Sequence, residues 1–118
     1  MSAFILSAPA LLVAGAQTVA DDVFARVGTV TTETGKASLE VTIATSDPLV
    51  PAEVQLLDTT TGIPVVGSLL KTVSTEGETL TSLPFALPSS GLYNLELRAQ
   101  VVGARATCTA AQLTAEAT

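Results

Sequence analysis

The chain has 118 residues, 47% hydrophobic and 14% charged, with 11 acidic side chains against 5 basic ones. That length suits one domain, which would bury about two-thirds of the surface its unfolded chain exposes. A net charge of −6 leaves no basic face to release counterions from nucleic acid, and the lack of histidine removes the commonest general base and metal ligand.

The first twenty residues carry no charged side chain and many apolar ones. Ala14-Gly15-Ala16 would suit cleavage of a secretory leader, but no Lys or Arg precedes the apolar run, Pro9 interrupts it, and the chain keeps Met1. Broken by Ser7, Pro9 and Gly15, the segment is too short to span a bilayer, so no membrane partner is expected. The expectation is an apolar arm or edge strand over residues 1–22, ahead of a β-sandwich domain over 23–118. Its candidate partner-binding side chains are Phe4, Ile5, Leu6, Leu11, Leu12 and Val13, because an extended arm can add to a neighbour's sheet edge.

Beyond the arm the pattern is that of strands. Val23–Val30 alternates through Val23, Ala25 and Val27, and Ser38–Ile43 alternates polar with apolar throughout. Val54–Leu57, Val65–Val66 and Leu69–Val73 are rich in branched apolar residues, and Thr79–Leu83 precedes Pro84 and Phe85. The longest alternation places Tyr93, Leu95, Leu97, Ala99 and Val101 on one face and Asn94, Glu96, Arg98 and Gln100 on the other. Ala104–Thr114 closes the chain; its alanines would permit a helical turn, but a fraying strand is expected. Thr34-Gly35, Ser46-Asp47-Pro48, Thr61-Gly62, Glu76-Gly77, Ser89-Ser90-Gly91 and Gly103 punctuate the strands as turns. Short strands at this spacing predict an all-β antiparallel sandwich.

Candidate chemistry is sparse. Cys108 has no partner for a disulfide and, with only Arg105 near in sequence, is expected to be a small core hydrophobe. Asp21-Asp22, Asp47, Asp58 and Glu76-Gly77-Glu78 fall in turns or segment starts, where solvated carboxylates are expected; none forms a D-x-D-x-D-G calcium loop. A glycosidase pair among them is disfavoured because Phe4, Phe24, Phe85 and Tyr93 are the only aromatics. Ser68 precedes Lys71 by three, formally an S-x-x-K spacing, but its partner motifs are missing and strand alternation explains it. No catalytic residue, cofactor or metal site is expected.

Ser90-Gly91-Leu92-Tyr93-Asn94-Leu95, followed by the alternating strand, a Gly turn and a last strand, resembles the closing F–G hairpin of immunoglobulin-like domains. That resemblance implies an immunoglobulin-like sandwich of about seven strands, with the Tyr93 hydroxyl folding back onto the preceding turn and Leu95 where antibody domains place a cysteine. Within this class the small, acidic, cysteine-poor chain is similar to capsid decoration (cement) proteins of tailed bacteriophages. Such a likeness implies a non-catalytic virion protein on the capsid surface. It would be a homo-oligomer, trimer favoured, bound to the major capsid protein or another virion protein. The alternative is an exported immunoglobulin-like binding or adhesion module, secreted or at the cell surface, with residues 1–16 as its leader. Both accommodate a positive mean hydropathy in a chain with few charges, which implies apolar surface hidden in an assembly.

Overall fold

The computed structural model describes residues 10–13, 15–20 and 22–116. Two antiparallel sheets face one another as a sandwich. The first holds β1 (Ala10–Val13), β2 (Gln17–Val19), β4 (Gly35–Thr45), β8 (Glu78–Thr81), β9 (Phe85–Leu87) and β11 (Ala106–Glu116); the second holds β3 (Ala25–Thr32), β5 (Ala52–Asp58), β6 (Ile63–Pro64), β7 (Leu70–Thr72) and β10 (Gly91–Ala99).

Period-2 alternation builds the core. On β10, Tyr93, Leu95, Leu97 and Ala99 are fully enclosed, and on β4 Ala37, Leu39, Val41 and Ile43 face them from the other sheet. Each large aliphatic buried in this way contributes about 1.5–3 kcal/mol. Val101, expected on the same stripe, lies past the end of β10 and is exposed, because the chain turns there with Ala104 N–H donating to the Val101 carbonyl. On β11 a bulge between Cys108 and Ala110 shifts the inward set from Ala106 and Cys108 to Ala111 and Leu113. The alanine-rich end therefore remains strand to Glu116.

The sandwich is as expected, with eleven strands among the described residues where about seven were predicted. Both edge strands on one side are each broken in two. On β5 the pieces are β6 and β7, and on β4 they are β8 and β9. Val65–Val66 is not itself a strand: Val65 N–H donates to the Leu56 carbonyl and Val66 projects into solvent. Likewise β3 starts at Ala25, leaving Val23 exposed.

Tyr93 makes the anticipated corner, accepting a hydrogen bond from Ser89 N–H at 3.1 Å and donating its hydroxyl to the Ser89 carbonyl. The anticipated closing hairpin does not form. β10 pairs with β3 and β5, whereas β11 crosses to the other sheet and pairs with β4, β1 and β2. The place beside β10 that a final strand would take is filled by β3.

β1 and β2 both pair with β11, so β1 forms an outer edge of the first sheet, as β3 does of the second. These two edges touch. A Cβ placed on Gly28 would lie 1.9 Å from the Leu12 carbonyl oxygen, so only glycine lets the β1 backbone rest on β3. Leu12 and Val13 thereby enter the core.

Candidate functional site

Opposite this sealed edge, where β6 faces β9, the sandwich is open. A groove of about 630 Å³ runs between the β6–β7 loop and the segment around β9. Val65 and Phe85, 5% and 6% exposed, form its floor as part of the core. Ile63, Pro64 and Val66 line one side, and Pro84, Ala86 and Pro88 the other; no charged side chain lines it. Ile63 and Val66 are 62% and 89% exposed, and the neighbouring Leu83 is 85% exposed.

Two buried serines shape the walls. Ser68 accepts from Leu56 N–H at 3.0 Å and donates to the Val65 carbonyl at 2.7 Å, so its hydroxyl replaces backbone pairing where β6 gives way to β7. Ser82 does the same between β8 and β9, accepting from Leu39 N–H at 2.9 Å while its own N–H donates to the Leu39 carbonyl. Gly67, at φ +91°, brings the loop so close to β9 that a Cβ there would stand 3.1 Å from the Phe85 Cβ. Prolines 64, 84 and 88 remove backbone donors along both rims, which disfavours strand addition and favours contact through side chains.

Asp58 departs from expectation. Placed in a turn, it was expected to be solvated, yet it is fully enclosed at the end of β5. Thr60 N–H donates to its Oδ1 at 2.9 Å, and the hydroxyls of Ser89 and Thr61 lie against the carboxylate. Enclosure alone would raise its pKa; the donors outweigh it and hold the carboxyl below the ordinary value. The Tyr93 hydroxyl is pushed up by burial, and the Asp58 charge adds to the shift. The pair thus ties the β5–β6 turn, which carries Thr61 into the groove, to the turn before β10.

The other anticipated groups divide cleanly. Phe4, Ile5, Leu6 and Asp21 lie outside the described residues. Leu11 pairs with Gln112 within β1, and Leu12 and Val13 are core residues of their own chain, which leaves these two no free surface for a partner. Burial pushes the Cys108 thiol up to about 11, so it is inert at neutral pH. Ser68 is committed to backbone, and Lys71 is an exposed β7 residue beside Glu53. Asp47 accepts from Leu49 N–H and closes a tight turn. Glu78 accepts from the Thr72 hydroxyl at 2.6 Å. Among the described residues no three His, Cys, Asp or Glu side chains converge to hold a metal.

The outer face of the second sheet is polar and mostly paired, with the Asn94 Oδ1 on β10 buried and without a hydrogen-bond partner. Arg98 Nε donates to the buried Glu53 at 2.7 Å and stacks over the Phe24 ring at 4.5 Å, and Gln55 donates to Glu96 at 3.0 Å. A ligand there would have to break these pairs. The groove is the surface that sequence reasoning missed, although apolar runs cut by proline, Ile63-Pro64-Val65-Val66 and Leu83-Pro84-Phe85, are the signature of edge strands.

No protein-family model and no curated protein matches the chain. Among solved structures it is similar to the C-terminal CBM6, a carbohydrate-binding module, of LamC, a marine laminarinase from Zobellia galactanivorans. The identity is 11%, covering 97% of this chain and 91% of that one, with a TM-score of 0.48. It is also similar to a family two carbohydrate esterase from Cellvibrio japonicus, at 20% identity over 99% of this chain and a TM-score of 0.37; the chain spans 33% of that protein's length. At these values neither neighbour assigns a ligand to this chain.

Proposed function

We propose that the chain is a non-catalytic binding module whose recognition surface is the apolar groove between β6 and β9. The supporting observation is an uncharged concavity of about 630 Å³ with exposed Ile63 and Val66 above a floor fixed by the core. Apolar surface of this kind costs free energy in water unless a partner covers it, and a rigid floor spares the partner the entropy of shaping its own pocket. The one polar side chain lining the groove is Thr61, whose hydroxyl is engaged by the Asp58 carboxylate and the Ile63 N–H, and no charged side chain lines it.

Capsid decoration is the finer form of this reading, with an apolar side chain of a virion protein in the groove. An exported adhesion module would use the same surface. The groove supports the general binding reading over the capsid-specific one, since its lining supplies apolar shape and nothing particular to a capsid. Cleavage after Ala16 is disfavoured in either setting, because it would remove Leu12 and Val13 from the core.

Titration of folded protein with the apolar dye bis-ANS tests the groove directly. Saturable one-site binding is expected, lost in an Ile63→Asp/Val66→Asp double variant whose stability stays within about 0.5 kcal/mol of the parent. No saturable binding, or binding indifferent to the double substitution, would overturn the reading.

A further inference from the structure

We propose that the occupant of the groove is the N-terminal segment of a second copy of this chain, inserted through the side chains of Phe4, Ile5 and Leu6. The inference rests on the groove being a binding surface and names what fills it.

Chemistry matches first. Residues 1–9, Met-Ser-Ala-Phe-Ile-Leu-Ser-Ala-Pro, include no charged side chain, and none lines the groove, so burying Phe4, Ile5 and Leu6 there strands no charged side chain. A segment carrying three consecutive large apolar residues next to a structured strand gains from any concavity that removes them from water. The volume of about 630 Å³ lies within the range of about 300–1,000 Å³ typical of pockets that enclose a compact ligand. The prolines on the rims disfavour backbone pairing, which suits an occupant that presents side chains, as an apolar tripeptide does.

Reach then decides between the chain's own groove and a neighbour's. The segment precedes Ala10, the start of β1, and between β1 and the groove lie β11, β4 and β9. Three inter-strand gaps of about 4.8 Å separate β1 from β9, about 14 Å in all, and the groove opens at β9, whose Phe85 and Ala86 form its near wall. Four residue steps from Ala10 to Leu6 cover at most about 14 Å when fully extended. Leu6 therefore cannot pass β9 of its own chain, and Ile5 has one step to spare. A fully extended segment thus brings Leu6 no farther than the near wall of its own groove, so seating all three side chains along the groove favours a second copy. Since every copy carries both a segment and a groove, two copies can exchange segments reciprocally about a two-fold axis, or the contact can run head to tail and close as a ring where the rotation allows.

The test is self-association of the full chain by analytical ultracentrifugation, with an arm variant (Phe4→Ser/Leu6→Ser) and a groove variant (Val66→Asp). The parent should self-associate, and each variant should do so roughly tenfold more weakly or worse. A mixture of the two, each with a distinct mass tag, should pair by native mass spectrometry, because the groove variant keeps an intact segment and the arm variant an intact groove. A monomeric parent, association that survives either substitution, or a mixture that stays unpaired would overturn the proposal. If the parent is monomeric but still binds bis-ANS at the groove, the binding surface stands and its assigned occupant falls.

Discussion

At the β1–β3 edge the backbone of Leu12 lies on Gly28 and the two sheets close over Leu12 and Val13; at the β6–β9 edge Val65 and Phe85 are covered, but Ile63, Val66 and Leu83 stand in solvent. Both edges draw on similar apolar residues. They differ in what the backbone permits. A missing Cβ lets one pair of edge strands touch. On the other side prolines and serine-bridged breaks hold the strands apart and disfavour the addition of a further strand. A sandwich with one sealed and one open edge can bury its core and still keep a side-chain binding surface.

The sealed edge should be the costlier one to disturb. Replacing Gly28 with alanine places a methyl group 1.9 Å from the Leu12 carbonyl oxygen, a backbone atom that no rotamer change can move. β1 must lift, withdrawing Leu12 and Val13 from the core, and the loss should be about 3 kcal/mol or more. Denaturant titration reads it as a lower midpoint. A change below about 1 kcal/mol would show that β1 adds little to the sandwich and dissolve the contrast between the edges.

The breaks at the open edge are smaller matters of hydrogen bonding. Ser68→Ala orphans the buried Leu56 N–H, and Ser82→Ala does the same to the buried Leu39 N–H. Each should cost about 1–3 kcal/mol. Faster hydrogen exchange confined to the affected amide and the loop beside it would locate the effect at the groove wall. Unchanged exchange would mean that water substitutes for the hydroxyl.

How much of this was visible in the sequence depends on whether the determinant lies along one strand or between strands. Tyr93, Leu95, Leu97 and Ala99 announce their burial by alternation alone, as do Leu39, Val41 and Ile43, because strand geometry makes period 2 a direct reading of the core face. The corner made by Tyr93 was legible for the same local reason: its partner, Ser89, is four residues away. Cross-strand facts were not. Gly103 suits a hairpin turn equally well whether the next strand stays in its sheet or crosses to the other. Val65 and Val66 are adjacent and chemically identical, yet one is 5% exposed and the other 89%, a difference set by Leu56 on another strand. For Leu12 and Val13 the sequence leaves an edge strand and a partner-binding arm both open, because it does not reveal that Gly28 lies beneath the β1 backbone.

Asp58 offers the finest probe of the open edge, since its carboxylate fastens the turn that carries Thr61 into the groove. Its donors stabilise the charged form, so the folded-state pKa lies below the unfolded value of about 3.9. A group depressed in this way adds stability that is fully present above the unfolded pKa and disappears as the pH falls through the folded one. An Asp58→Asn variant keeps an acceptor for Thr60 N–H but carries no charge, and it should melt below the parent at neutral pH. The gap should narrow from about pH 4 downward and vanish once the parent's carboxyl is protonated too. Paired thermal melts across that range measure it. A gap that stays constant with pH would mean that shape and the turn hydrogen bond, rather than charge, hold this end of the groove in place.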